Sequence, residues 1–281
     1  MNIPVHISTR TIHQLKRLQT LLDQLDLAGA PQALTVSGSP ITSDAIIVFP
    51  GSFNPPTTAH LALLQQTQHY AHQNIPMQLY AAMSKLTIDK ETVERPLMLD
   101  RIVLLDTLLR HHLPQVGILL FNRGLYVEQA QAVHTSFPHI TRLLFLMGFD
   151  KIVQIFDPHY YTDREAALHT LFASAELLVA PRGDAGPETL TALLSRPENQ
   201  PFAHSVHALP FSGTYRDISS SQVRQHTNAR RQEVPYEVRR FMRTTHAYDP
   251  PLRLPDGSEL DYYAERIKML GKLLKPAKDE R

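Results

Sequence analysis

Three short segments combine residue types that could handle an anionic ligand. The first is Gly51-Ser52-Phe53-Asn54-Pro55-Pro56-Thr57-Thr58-Ala59-His60, set between the apolar runs Ala45-Ile46-Ile47-Val48-Phe49 and Leu61-Ala62-Leu63-Leu64. The leading run reads as a buried parallel strand. The proline pair cannot continue a ladder, so the chain turns there. Thr57 or Thr58 can cap a new helix. His60 then falls in the first helical turn, among unpaired backbone N–H groups at the positive end of the dipole. A phosphate binds readily at such a place, and an imidazole can add charge and a directed hydrogen bond.

The second segment is Asp217-Ile218-Ser219-Ser220-Ser221-Gln222-Val223-Arg224. A serine at a helix start satisfies orphan N–H donors. The remaining hydroxyls and amides can meet phosphate oxygens, and Arg224, one to two turns on, can hold a pyrophosphate through charge-assisted bonds. An ordinary cap followed by a solvated arginine is the plain alternative. Between residues 216 and 243 seven arginines (216, 224, 230, 231, 239, 240 and 243) face only Asp217, Glu233 and Glu237, an excess of four positive charges in a chain of net charge +1. A polyanionic ligand nearby accounts for that local excess. The third segment, Leu146-Met147-Gly148-Phe149-Asp150, ends an apolar strand at a glycine that permits close backbone approach. Asp150 there can accept from ribose hydroxyls or cap the helix that follows.

These segments need elements to position them. Apolar runs predict strands at 45–49, 77–82, 116–121, 142–147, 176–180 and 205–209. Helical periods lie between them: Met98, Ile102, Leu105 and Leu109 mark one face, and 126–134 and 164–172 are further helices. The β-α alternation predicts an α/β fold, a Rossmann-like doubly wound parallel sheet that binds ligands at the carboxyl ends of its strands. A helix over 9–28, stopped by Gly29 and Pro31, and a linker at 37–40 make residues 1–43 an N-terminal helical extension. Residues 44–249 form the main domain. It ends with a helix carrying Val234, Val238, Phe241 and Thr245, closed by Asp249-Pro250-Pro251. Residues 250–281 add a helix at 259–274 and a tail.

The 281 residues are 43% hydrophobic and contain no cysteine, which excludes disulfides, zinc–thiolate sites and thiol nucleophiles. Net charge near zero argues against a general nucleic-acid binder. Fifteen histidines contain no H-x-x-x-H pair. The expectation is a cytoplasmic protein with no membrane span, no secretory leader and no protein-held metal. Neither G-x-x-x-x-G-K-[ST] nor G-x-G-x-x-G occurs, so the first turn must act by its own chemistry.

In this order the three segments resemble the nucleotidyltransferase superfamily with H/T-x-G-H and I-S-S-T-x-I-R signatures, and most nearly a divergent branch of the nicotinamide/nicotinate mononucleotide adenylyltransferases. Val234-Pro235 with Val238, and Leu178-Val179-Ala180-Pro181-Arg182, are similar to further family segments. The resemblance covers about residues 44–249, with the two signatures roughly 160 residues apart. Ala59 stands where the family usually has glycine, Thr57 where these adenylyltransferases often have histidine, and there is no tryptophan to stack on a base.

The resemblance implies that AMP is transferred from ATP to a pyridine mononucleotide, with Mg²⁺ carried on the ATP oxygens. It implies catalytic roles for His60, Arg224 and Thr57. ATP would be held by Gly51, Ser52, Phe53, His60, Gly148, Asp150, Ser219, Ser220, Ser221 and Arg224. The mononucleotide would be met by Asn54, Lys85, Tyr160, Tyr161 and Arg182, with Lys90 in the same substrate loop as Lys85. A homo-oligomer is compatible with the apolar faces of the terminal helices. Two alternatives stay open: a related enzyme acting on phosphopantetheine or an alcohol or sugar phosphate with ATP or CTP, and a nucleotide-binding protein without catalysis.

Overall fold

The computed structural model describes residues 7–36, 38, 41–74, 76–85, 95–226 and 229–274. In chain order the elements are α1 (Thr9–Gln24), β1 (Ala33–Thr35), β2 (Ala45–Pro50), α2 (Thr58–Asn74), β3 (Gln78–Ser84), α3 (Met98–His112), β4 (Gly117–Phe121), α4 (Tyr126–Ser136), β5 (Arg142–Gly148) and α5 (Phe149–Phe156). There follow α6 (Arg164–Phe172), β6 (Glu176–Ala180), α7 (Pro187–Leu194), β7 (Val206–Ala208), α8 (Ser220–Gln225), α9 (Tyr236–Thr245), β8 (Leu252–Arg253), β9 (Glu259–Leu260) and α10 (Tyr262–Leu273).

Seven strands make one sheet in the order β1-β4-β3-β2-β5-β6-β7, parallel throughout except for β1, which runs antiparallel to β4. The chain steps outward from β2 to β4, returns, and lays β5 on the other side of β2. This is the doubly wound, Rossmann-like order, and its switch point lies between β2 and β5. Alternation along each strand feeds two cores. Ile47 and Phe49 of β2 pack with Leu15, Leu64 and Ile102 of α1, α2 and α3. Ile46 and Val48 pack with Val133, Ile152, Leu168 and Leu190 of α4 to α7. Burial on both faces is why the strands are continuous apolar runs. A third cluster joins Leu104 of α3 to Val223 of α8 and to Val234, Val238 and Met242 at α9.

All six expected strands are present. Several boundaries differ. Helix α1 stops at Gln24, four residues short of the expected end, and Leu25 already has extended backbone. Residues 33–35 pair with β4 through Ala33↔Phe121, although three residues in an extension carry no readable period. Helix α9 ends at Thr245 with His246 in the left-handed region (φ 53°), before the prolines are reached. Helix α10 starts after Asp261, whose carboxylate accepts from the Ala264 N–H at 3.0 Å, and a short hairpin of β8 and β9 precedes it. Its buried Tyr263 and Arg266 both donate to Asp100 of α3, at 2.7 and 2.6 Å. Among the described residues no helix is long and apolar enough to cross a membrane. The tail at 275–281, most of the linker at 37–40, and Lys90 lie outside the described residues.

Candidate active site

The Gly51–His60 turn leaves the carboxyl end of β2, at the switch point. The Gly51 N–H donates to the Ala82 carbonyl at 2.9 Å, carrying the ladder one residue past the strand. A Cβ on Gly51 would lie 3.1 Å from the Phe53 ring, so any larger residue there has to push the buried ring back by a few tenths of an ångström. Phe53 has φ 45°, a region that bulky residues rarely enter. Its ring is 1% exposed, edge-on to Phe49 at 5.5 Å and 5.1 Å from the His60 ring. The buried aromatic contacts hold the strained backbone in place.

Thr57 is fully buried at the head of α2, and its Oγ1 accepts from the His60 N–H at 3.4 Å. The Thr57 N–H donates to His60 Nδ1 at 3.0 Å, with the Thr57 hydroxyl 2.7 Å from the same nitrogen. Because Nδ1 accepts, the ring proton sits on Nε2, which becomes the donor edge of the imidazole. Burial, with the Arg182 charge adding to it, lowers the His60 pKa to about 4. The ring is therefore neutral at physiological pH. Contrary to the sequence expectation, it offers a directed bond without a charge.

The second signature docks onto this turn. Ser219 is the N-cap of α8, accepting from the Gln222 N–H at 3.2 Å. The Ser220 hydroxyl donates to the Pro55 carbonyl at 2.8 Å, and Arg224 donates to the Asn54 carbonyl at 2.6 Å. Ser221 accepts from the other Arg224 nitrogen at 3.2 Å. The three serines thus divide into a cap, a tether to the turn and an exposed hydroxyl beside the guanidinium. The Thr58 hydroxyl adds a bond to the Glu233 carbonyl at 3.0 Å.

Beside the turn is the mouth of β5. Gly148 is the N-cap residue of α5, and Asp150 lies in its first turn. Asp150 does not cap the helix; it pairs with Arg182, just beyond β6, at 2.7 Å, with side-chain exposures of 63% and 44%.

Other expected site residues are engaged elsewhere. Lys85 donates to the Leu22 and Leu25 carbonyls at the end of α1, both at 2.8 Å. Tyr161 is half-buried and donates to the Ile155 carbonyl at 2.7 Å, while Tyr160 stands exposed on a 3₁₀ turn.

Sequence reasoning missed three supports. Arg101 of α3, buried, donates to the Ser52 carbonyl at 3.0 Å, and burial pulls its pKa below the usual guanidinium value. Tyr248 donates to Asn54 Oδ1 at 2.8 Å, and the Asn54 amide donates to the Arg95 carbonyl at 3.3 Å. Arg101 follows Met98 by three residues, so it borders the apolar face of α3. That spacing is a usable signal; Tyr248 has none.

Among the described residues no group of three or more histidines or carboxylates could hold a metal ion. The class defined by fold and topology is a Rossmann-like α/β protein with a braced strand-to-helix turn at its switch point. No protein-family model matches the chain, and no curated protein sequence does. Among solved structures it is similar to a candidate nicotinate-nucleotide adenylyltransferase from Vibrio parahaemolyticus, at 13% identity and a TM-score of 0.40, over 73% of this chain and 94% of that one.

Proposed function

We propose that the protein is a nucleotidyltransferase that joins the AMP moiety of ATP to nicotinamide or nicotinate mononucleotide. The observation that supports this most is the grip of Arg224 and Ser220 on the Asn54 and Pro55 carbonyls, because it unites the two signature segments around one turn. In the reaction a phosphate oxygen of the mononucleotide attacks the α-phosphorus of ATP. A new P–O bond forms, the bond to the bridging β-oxygen breaks, and pyrophosphate leaves with the electron pair. No protein nucleophile is needed; the chain's task is to orient two anions and stabilise the developing charge. Mg²⁺ enters as part of the ATP substrate.

His60 Nε2–H donates to an α- or β-phosphate oxygen, its ring held by Thr57. Arg224 brings a guanidinium to the departing pyrophosphate, with Ser219, Ser220 and Ser221 around it. Backbone at Gly51, Ser52 and Phe53 lines the nucleotide pocket, and Asp150 beside Gly148 accepts from a ribose. Arg182 meets the mononucleotide, whereas Asn54, expected to do so from the sequence, is buried with its amide taken up by Tyr248 and Arg95 and serves to brace the turn.

Pyrophosphate release with each mononucleotide and ATP is the direct test, and His60→Ala should lower turnover roughly 100- to 1000-fold without unfolding the protein. Full activity in that variant removes the assigned role. Turnover only with phosphopantetheine or an alcohol or sugar phosphate, or only with CTP, reassigns the substrates. Binding of ATP with no product from any acceptor makes the chain a nucleotide-binding protein.

A further inference from the structure

The arginine excess between residues 216 and 243 is only partly used by the site described above. Arg224 is bound to the turn. Arg216 donates to the Phe211 carbonyl at 3.3 Å, and Arg230 pairs with Glu233 at 2.8 Å. The other four, Arg231, Arg239, Arg240 and Arg243, line a cavity of about 350 Å³ along α9, together with Tyr236 and His246. None of its lining residues belongs to the 51–60, 148–150 or 219–224 segments.

Helical geometry explains the arrangement. Positions 236, 239, 240 and 243 fall on one face of α9, while Val238, Met242 and Thr245 are buried on the other. A solvated arginine face is the ordinary outcome for such a helix, but three features argue for more. Like charges three and four residues apart destabilise a helix; Arg239 donates to the Arg231 and Val234 carbonyls at 3.2 and 3.1 Å, but the face itself carries no carboxylate. The only acid within α9, Glu237, turns away to accept from His111 and His112 of α3, at 3.0 and 3.2 Å. The remaining carboxylate at the cavity, Asp249, is held by His246 at 2.8 Å. Among the described residues neither Arg240 nor Arg243 has an acidic partner. The surface is also concave, and its volume lies in the range of small-ligand sites. Finally, Tyr236 is 60% exposed at the start of the stripe, a ring available for stacking.

We infer that this cavity is a second anion site, which takes a small organic polyphosphate carrying a planar ring, a ligand of nucleotide type. Guanidinium groups suit phosphate oxygens bidentately, and the ring of Tyr236 suits a base. The inference stands independently of adenylyl transfer. The arginines cluster around one depression along a single helix, which suits a small molecule better than a polymer, for which an extended stripe would serve.

Calorimetry on the full chain tests it, with inorganic triphosphate and ATP as probes. Inorganic triphosphate should bind, and Arg240→Gln with Arg243→Gln should weaken that binding roughly tenfold or more per arginine. ATP should occupy two classes of site, one removed by this double variant and the other by His60→Ala with Arg224→Ala. Tyr236→Ala should weaken ATP at the α9 site roughly tenfold and leave inorganic triphosphate unchanged. Protection of Arg240 and Arg243 from phenylglyoxal by inorganic triphosphate checks the wild-type chain without any substitution. The inference is overturned if the double variant binds inorganic triphosphate as the wild type does, or if no protection is seen. Tighter, steeply salt-dependent binding of a short oligothymidylate would overturn the small-ligand assignment. Absence of the ATP site that depends on His60 and Arg224 bears on the adenylyltransferase reading and not on this one.

Discussion

The two strand ends that meet at the switch point are built in opposite ways. At the end of β2, the turn is held from four directions: Arg101 on Ser52, Arg224 and Tyr248 on Asn54, and Ser220 on Pro55. Asn54 is 2% exposed and uses its backbone carbonyl and both ends of its amide. At the end of β5, Asp150 and Arg182 form an ion pair in the open. Exposed pairs of this kind contribute about 0–1 kcal/mol and rearrange readily. The contrast teaches that the molecule is preorganised at one mouth and adjustable at the other. Fixed donors stabilise charge without reorganising as a reaction proceeds, whereas a loose pair can open to admit a ligand and close on it.

Substitutions on either side break or sharpen this contrast. The largest effect belongs to Arg224→Ala, where turnover in a pyrophosphate-release assay should fall roughly 100- to 1000-fold. Next is Asn54→Ala, which leaves the Tyr248 hydroxyl and the Arg95 carbonyl without their partner; urea unfolding should show a loss of about 2–4 kcal/mol.

A third test uses pH. His60 has a pKa of about 4 in the folded protein against 6.5 when unfolded. Between those values the unfolded chain binds more protons, so acid favours unfolding. The His60 contribution is fully present above about pH 6.5 and is lost as pH falls toward 4. Urea midpoints measured across that window should fall more steeply in the wild type than in His60→Ala. Equal slopes would mean that the imidazole is not held neutral. The smallest effect is expected at the loose mouth, where Asp150→Ala should change unfolding free energy by no more than about 1 kcal/mol. Its effect should appear as a raised KM, and a stability loss matching that of Asn54→Ala would erase the distinction between the two ends.

Part of this design is legible from the chain alone. Strands β2 to β6 are apolar runs because each is covered on both faces, and that requirement writes itself into consecutive residues, whereas the edge strand β7 is buried at Val206 alone. The two helix starts carry local capping chemistry, so a cap at Thr57 or Thr58 and one among the serines at 219–221 could be read from the sequence, while the choice of Thr57 and Ser219 could not. Strand β1 could not be read, because three residues pairing at a sheet edge owe their conformation to β4. The divided work of Ser219, Ser220 and Ser221 was equally hidden, since consecutive identical side chains point in different directions and meet different partners.

What the sequence by itself determined was the strands β2 to β7 and most of the helices around them, the alternation that makes the sheet doubly wound, and the residue types present at each turn. Only the tertiary structure decided that Arg224 and Ser220 reach the Asn54 and Pro55 carbonyls, that Arg101 and Tyr248 brace the same turn, that His60 is neutral, and that four arginines share one cavity. Periodicity and capping act within a few residues and leave a local trace. Contacts between residues far apart in the chain, and the desolvation that shifts a pKa, depend on how whole helices pack, and no short segment encodes that.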